Sequence, residues 1–243
     1  TRRAPRFWLP SSMTTTESAD TLATHLRRTL DGRWRDVREQ TREQLSRHEF
    51  APHYTPNTAI ARTKATEQLR ILAAAGAAES GFAKSVGGTG DIGAAVTMIE
   101  MLAMSDLSLM VKAGVQWGLW GGAVENLGTA RHHEKYVADT ISLDLLGCFA
   151  MTETGHGSDV QSILTTATYD SATDELVVHS PSPAARKDYI GGAARDARLA
   201  AVFAQLVVGE EQHGVHCVLV PLRDEAGQPM PGVTIGDCGA KLG

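Results

Sequence analysis

The sequence predicts an α+β fold in which a helical first half precedes a β-rich second half. Apolar residues recur at helical spacing over much of residues 20–141. From about residue 142 the period changes, and short apolar runs alternate with polar turns. We therefore divide the chain into an all-helical domain, 20–141, and a β domain, 142–243, which we expect to be a barrel or a sandwich.

The composition excludes several classes of function. The formal net charge is −5, whereas a face that binds nucleic acid needs clustered Lys and Arg. No apolar run approaches the roughly 20 residues that span a bilayer. The three cysteines, Cys148, Cys217 and Cys238, are widely spaced and form no CxxC motif. We predict no nucleic-acid partner, no membrane span, no disulfide framework and no metal site.

Both ends of the chain look unlike those of a complete protein. The first Met is Met13, and it follows a basic segment that prolines interrupt. We interpret residues 1–19 as a disordered or non-native leader, such as upstream read-through or a tag remnant. The last residues, 239–243, resemble a turn. We expect a truncated chain.

The helical half contains several recognisable starts and stops. Asp20 or Thr21 would cap a helix that runs to about Leu30. The segment from Trp34 to Phe50 is Arg-rich, but acidic residues interleave the arginines, so a solvated helix face is favoured over a phosphate-binding patch. Thr129 would cap a short helix that starts at Ala130.

A glycine pattern between two helical segments has two interpretations. Gly88, Gly90 and Gly93 satisfy the spacing GxGxxG of dinucleotide-binding folds. That fingerprint requires a buried strand before it and an acidic residue about 20 positions later at the end of another strand. The surrounding segments are helical in pattern, so a glycine loop between helices is favoured over a Rossmann motif.

The β half contains one predicted hairpin and two longer apolar runs. The segments 165–169 and 176–179 flank the polar turn 170–174. The longer apolar runs 199–208 and 215–222 are joined by the polar segment 209–214.

The stretch from Met151 to Asp159, MTETGHGSD, is the principal candidate site. Ser158, His156 and Asp159 are too close in sequence to align as a catalytic triad, and the GxSxG motif is absent. A glycine-rich turn with local capping is the simplest interpretation. A third interpretation is a cofactor-binding loop, in which hydroxyls donate hydrogen bonds to the cofactor and the glycines allow the backbone to approach it closely.

A family resemblance favours the cofactor-binding loop. Residues 149–160, FAMTETGHGSDV, resemble the flavin loop of the acyl-CoA dehydrogenase superfamily. With a histidine between its two glycines, the loop resembles that of the acyl-CoA oxidase branch of this superfamily. Further positions that match this branch are Thr165 to Asp170, Ser180-Pro181, Lys187, Gly191-Gly192, Val220 to Arg223 and Pro231 to Asp237.

The resemblance implies an acyl-CoA dehydrogenase-like fold, with noncovalent FAD between the β domain and a C-terminal helical bundle that this chain lacks. The cofactor-binding residues that it implies are Thr152, Gly155, Gly157, Ser158, Tyr189 and Gly191. Ser158 and His156 would also line the acyl-CoA side. The chain departs from the oxidases after Lys187, where Asp188-Tyr189 replaces two tryptophans. Tyr189 would still flank the flavin, whereas Asp188 is a poor substitute for an aromatic residue.

The implied activity is the first step of fatty acid β-oxidation. A fatty acyl-CoA is converted to trans-2-enoyl-CoA, and O2 accepts the electrons and yields H2O2. The family's base is a Glu expected beyond Gly243, and Glu153 is not its replacement, so we expect this chain to be inactive alone. Two alternatives stay open: a dehydrogenase that uses an electron-transfer protein, and an inactive binding or structural module.

The resemblance also implies a homodimer for the full-length protein. It implies a peroxisomal location if the source is eukaryotic and a cytoplasmic one if it is bacterial.

Overall fold

The computed structural model describes the backbone of residues 15–240 and the side chains of residues 21–240. Residues 1–14, most of the predicted leader, lie outside the described residues. The helices are α1 (Thr15–Asp31), α2 (Arg35–Leu45), α3 (Thr58–Ala74), α4 (Ile92–Ser105), α5 (Leu107–Ala113), α6 (Gly122–Leu127) and α7 (Ala130–Ser142). Single 3-10 turns lie at Gly32–Trp34, His48–Phe50, Glu79–Gly81, Lys84–Val86, Val160–Ser162 and Pro183–Ala185.

A π-helical stretch, Gly114–Gly121, joins α5 to α6. Its Gln116 is buried and donates to the carbonyls of Thr140 and Leu145. The amide oxygen of Gln116 accepts the N–H of Gly147, at the start of the first strand. Because π-helical turns widen the backbone and often occur at functional sites, this stretch is a notable neighbour of the sheet.

Polar side chains mark where several helices begin. The Asn57 side chain accepts the N–H groups of Ala59 and Ile60, and α3 starts at the next residue. Thr129 forms a capping box with His132, which confirms the predicted start of α7 at Ala130. The first helix starts earlier than predicted, at Thr15, and ends at Asp31. Within the described residues, no helix combines the length and the apolar composition needed to cross a bilayer.

The GxGxxG segment runs from a loop after a 3-10 turn into the first turn of α4, so the Rossmann interpretation is wrong. No strand precedes it among residues 15–91. Packing explains two of its glycines: a Cβ on Gly88 would lie 2.0 Å from the Phe82 carbonyl oxygen, and one on Gly93 would lie 2.0 Å from the Trp34 ring.

Within residues 15–240, five strands form one mixed sheet: β1 (Gly147–Ala150), β2 (Thr166–Asp170), β3 (Glu175–His179), β4 (Leu199–Val208) and β5 (Glu211–Pro221). Strand β2 pairs antiparallel with β3, which confirms the predicted hairpin, and β4 pairs antiparallel with β5. Strand β4 also pairs in parallel with β1 and with β2. In the part of the chain that is described, the sheet is open because β3 and β5 each have a single neighbour. The predicted barrel or sandwich is therefore not confirmed, while the mixed helix-and-sheet class is.

Strands β1 and β2 share one edge of β4. Ala150 pairs with Val202, and Thr166 pairs with Gln205. Residues 151–165 thus leave and rejoin the sheet beside only two residues of β4, Phe203 and Ala204. This excursion contains the candidate loop.

Alternation along the strands separates two apolar layers. Phe149, Leu199, Ala201 and Leu219 face the helical core, which includes Leu69, Leu72, Leu102, Trp117 and Trp120. The opposite face carries Cys148, Ala150, Ala200 and Val202 and is covered by Ile190, Ala193 and Ala197. The sheet is thus held between the helices and the segment that follows Lys187.

The three cysteines provide a test of these layers. Burial raises the pKa of Cys148 to about 12 and that of Cys217 to about 11, whereas Cys238 is exposed. Because the thiolate is the reacting species, we expect alkylation of the native chain in the order Cys238, Cys217, Cys148. Mass spectrometry of timed iodoacetamide reactions measures this order. Equal rates are expected in urea, and fast modification of native Cys148 would contradict the layer assignment.

Candidate functional site

The loop from Met151 to Asp159 begins directly after β1 and folds back on itself. The Glu153 and His156 backbones exchange two N–H to C=O hydrogen bonds of 3.0 and 3.1 Å, which close the turn around Gly155. The glycine-histidine-glycine sequence thus forms a compact, defined turn.

A second segment, residues 184–188, runs alongside this turn. Thr154 N–H donates to the Arg186 carbonyl, and Asp188 N–H donates to the Thr152 carbonyl, at 2.9 and 3.0 Å. Gly155 N–H donates to the Ala184 carbonyl at 2.9 Å, and a Cβ on Gly155 would lie 3.2 Å from the Ala184 Cβ. The two motif segments that the sequence singled out are therefore neighbours.

A buried ion pair lies behind the turn. Glu153 is 1% exposed, and its two carboxylate oxygens accept the N–H groups of Leu164 and Thr165 at 2.8 and 2.9 Å. Lys187 Nζ donates to Glu153 Oε1 and to the Met151 carbonyl, both at 3.0 Å. The pair joins the beginning and end of the 151–165 excursion to the second segment.

The same contacts fix the protonation of both groups. Burial raises the pKa of Glu153, but hydrogen bonds from Leu164, Thr165 and Lys187 outweigh it and leave the pKa below its ordinary value. Burial lowers the pKa of Lys187 and the adjacent carboxylate offsets part of that effect. A carboxylate engaged in this way holds the loop and is unsuited to accept a substrate proton.

Asp188 joins the two segments to the end of the described chain. Its Oδ2 accepts from Arg186 and from the Thr154 hydroxyl, at 2.9 and 3.1 Å. Its Oδ1 accepts the Tyr189 N–H at 3.0 Å and faces the Cys238 thiol at 3.4 Å. Asp188 is therefore a hydrogen-bonding centre of the site, a role that its position in place of an aromatic residue did not suggest.

The predicted ligand-binding residues of the loop retain free polar groups. Among the described residues, no hydrogen bond engages the Thr152 or Ser158 hydroxyl or the His156 ring. A Cβ added to Gly157 would meet nothing within 4 Å. The loop thus presents unpaired donors beside open space, while Glu153 and Thr154 are engaged internally.

The other two predicted cofactor-binding residues follow the second segment. Tyr189 has a φ of 60° and its side chain is 75% exposed. Gly191 packs against the π-helical stretch, because a Cβ there would lie 2.9 Å from Val115 Cγ2. Sequence reasoning missed this helix contact and the Glu153–Lys187 pair. The one available signal for the pair was the presence of opposite charges in the two motif segments.

Removing the buried carboxylate should destabilise the fold. Glu153→Gln leaves the Lys187 ammonium buried without its counter-ion, so we expect a loss of about 3 kcal/mol in the free energy of unfolding. Urea denaturation measures it. Asp36→Asn, at a side chain that is 91% exposed beside Arg35, is the matched control and should show no change. A Glu153→Gln variant as stable as the wild type would contradict the assigned role.

Asp188 should make stability depend on pH. Arg186 is the main cause of lowering its pKa to about 2, whereas an Asp in an unfolded chain has a pKa of about 3.9. The carboxylate therefore stabilises the fold above pH of about 4, and the contribution is lost as the pH falls toward about 2. We expect Asp188→Asn to be less stable than the wild type at pH 6 and equal to it near pH 2, measured as urea midpoints. A difference that persisted at the lower pH would argue against this linkage.

Comparison with known proteins identifies the relatives of this arrangement. Residues 148–243 match the family model described as the acyl-CoA dehydrogenase middle domain. The chain is 47% identical over 153 residues to the peroxisomal acyl-coenzyme A oxidase 2 of Arabidopsis thaliana. That match covers 60% of this chain and 22% of the plant protein, so the chain spans only a part of the length of this relative.

Solved structures agree with the sequence match. The acyl-CoA oxidase 1 of Yarrowia lipolytica superposes with a TM-score of 0.72 at 26% identity, over 85% of this chain and 30% of the yeast chain. The acyl-CoA oxidase-2 of Caenorhabditis elegans, solved with FAD, ascaroside-CoA and ATP, shares the fold with a TM-score of 0.59 at 24% identity, over 86% of this chain and 31% of that chain. The resemblance stated from the sequence is confirmed: the chain is similar to acyl-CoA oxidases, and its residues 148–243 match the acyl-CoA dehydrogenase middle domain.

Proposed function

We propose that this chain forms part of an FAD-dependent acyl-CoA oxidase that converts fatty acyl-CoA to trans-2-enoyl-CoA. The observation that carries the proposal is the pair of free hydroxyls, Thr152 and Ser158, on a loop that the buried Glu153–Lys187 pair holds in place. A rigid loop with unpaired donors fits a ligand that is flat and rich in acceptors. The FAD bound to the nematode acyl-CoA oxidase-2 supports the choice of cofactor.

The residues present fit FAD. Thr152 would donate to the flavin ring system, and Gly157 leaves room for close approach of the backbone. Gly155 would shape the turn, and Tyr189, exposed at a strained positive φ, would flank the ring. When bound, FAD supplies the acceptor for the hydride that leaves the β-carbon of the acyl chain.

On the substrate side, Ser158 and His156 would line the approach of the acyl-CoA thioester. Their exposed or half-buried positions and free polar atoms suit the orientation of a polar group. The task of these residues is to hold the thioester so that the α-proton faces its acceptor. The resemblance assigns that acceptor to a Glu beyond Gly243, and the engagement of Glu153 supports leaving it out of this role.

The electron acceptor of the proposed reaction is O2, which yields H2O2. The relatives named oxidases support this choice over an electron-transfer protein. The proposal includes the domain boundary near residue 142, a homodimer for the full-length protein and, for a eukaryotic source, the peroxisomal location that the plant relative's name states. A cytoplasmic location for a bacterial source stays a prediction.

Flavin binding tests the proposal directly. We expect the purified chain to bind FAD, seen as absorbance in the flavin visible bands and as quenching of flavin fluorescence in titrations. Thr152→Val should raise the Kd for FAD about fivefold, because one hydrogen bond contributes about 1 kcal/mol net. Thr168→Val, the same change at an exposed position of β2, is the matched control and should leave the Kd unchanged.

The outcome separates the alternatives. A folded chain that neither carries nor titrates FAD would favour the inactive binding or structural module. If FAD binds, assays of peroxide formation and of dye reduction with acyl-CoA, run on a longer protein that includes the predicted base, distinguish an oxidase from a dehydrogenase.

A further inference from the structure

The segment from Tyr189 to Ala197, which we call the glycine turn, is held by few bonds of its own. The Gly192 carbonyl accepts the N–H groups of Arg195, Asp196 and Ala197, at 3.4, 3.0 and 3.0 Å, and Gly192 has a φ of 83°. Ala193 N–H donates to the Ile190 carbonyl at 3.3 Å. Because this set is small, the placement of the turn depends on contacts with its surroundings.

The helical half contacts the turn at both of its ends. Lys112 of α5 forms an ion pair with Asp196. Three residues further along, Val115 fills the space beside Gly191. Positions three apart lie on one helix face, so a single face of the α5 and π-helical segment holds both ends of the turn.

A second helix is attached through Arg195. Its guanidinium donates to the Ala59 carbonyl and to the hydroxyls of Thr63 and Thr66, at 3.2, 2.9 and 3.2 Å, all on α3. The same guanidinium donates to Asp196 Oδ1 at 2.8 Å. Asp196 thus accepts from cations on both sides.

The β half holds the remaining side of the turn. Arg223 donates to the carbonyls of Ala197 and Ala193 at 2.6 and 2.8 Å. Ile190, Ala193 and Ala197 pack on the sheet face that carries Cys148. The turn is therefore fixed between the two halves of the chain.

Asp196 is the common point of these contacts. Its side chain is 15% exposed and that of Lys112 is 18% exposed, so the pair is largely removed from solvent. Burial raises the pKa of Asp196, but Lys112 and Arg195 outweigh it and keep the pKa below its ordinary value. A charged carboxylate here directs both cations toward the turn.

We propose that Asp196 is a positioning residue, which, through Lys112 and Arg195, fixes the glycine turn against α3 and α5 and thereby sets the placement of Tyr189 and Gly191 in the flavin site. This inference rests on the proposed flavin-binding function. The junction of the two halves would then influence the affinity for FAD. Asp196, Lys112 and Arg195 do so without contacting the flavin, because they hold the turn that carries Tyr189 and Gly191.

Two measurements on Asp196→Asn test the proposal. Hydrogen exchange followed by mass spectrometry should show the amides of residues 190–197 exchanging about tenfold faster, with the helical core unchanged. The Kd for FAD should rise about tenfold. Glu100→Gln is the matched control, because it removes an ion pair with Arg38 inside the helical half and should change neither quantity.

A second variant, Lys112→Gln, keeps the proposal testable if Asp196→Asn fails to fold. Lys112→Gln removes one partner of Asp196 and leaves Arg195 in place, so we expect changes in the same direction but smaller. Because both variants act through one contact, the double variant should be no weaker in FAD binding than Asp196→Asn alone.

The possible failures are distinguishable. A wild-type chain that binds no FAD overturns the proposed function and this inference with it. A wild-type chain that binds FAD, with an unchanged Kd in Asp196→Asn and Lys112→Gln, overturns the inference alone. Faster exchange in the turn without a change in the Kd would likewise overturn it, since the contact would then be structural only.

Discussion

The carboxylate of Glu153 lies inside the protein, and the organisation of the candidate site depends on how its charge is compensated. Two backbone N–H groups and the Lys187 ammonium supply that compensation. These donors come from two parts of the chain that must meet: the end of the excursion and the second motif segment. A buried charge is costly without its partners, so the arrangement is specified by the requirement that all of them be present together.

This constraint leaves available the hydroxyls that we propose face the ligand. Glu153 and Asp188 draw the backbone and Thr154 into internal bonds, whereas the hydroxyls of Thr152 and Ser158 remain outside the network. Within this one short motif, Glu153 and Thr154 hold the loop, whereas the hydroxyls of Thr152 and Ser158 make no internal hydrogen bond. Preorganisation of this kind reduces the cost of ordering the loop when a ligand binds.

The class and position of most elements could be predicted from the sequence. The way in which those elements assemble could be predicted less well. Period and turn chemistry located the β2–β3 hairpin and the Thr129 cap, because these depend on neighbouring residues. Closure of the sheet was not predictable, since it depends on whether distant edges pair. The role of Asp188 was also missed, because Arg186, Thr154 and Cys238 become its partners only when the fold brings them together. The glycines at 88 and 93 follow a binding pattern in sequence, yet each one accommodates a neighbouring group that only the fold reveals.

The parallel pairing of β1 and β2 with one edge of β4 bears on how the site is attached to the sheet. Along that edge the two strands occupy a single line, interrupted opposite Phe203 and Ala204. Residues 151–165 therefore leave the sheet within what is otherwise one continuous line of pairing along that edge of β4. The residue pairs that set the register of β1 and β2 on β4 lie outside residues 151–165. The pairing of the strands is thus independent of the residues that form the loop between them.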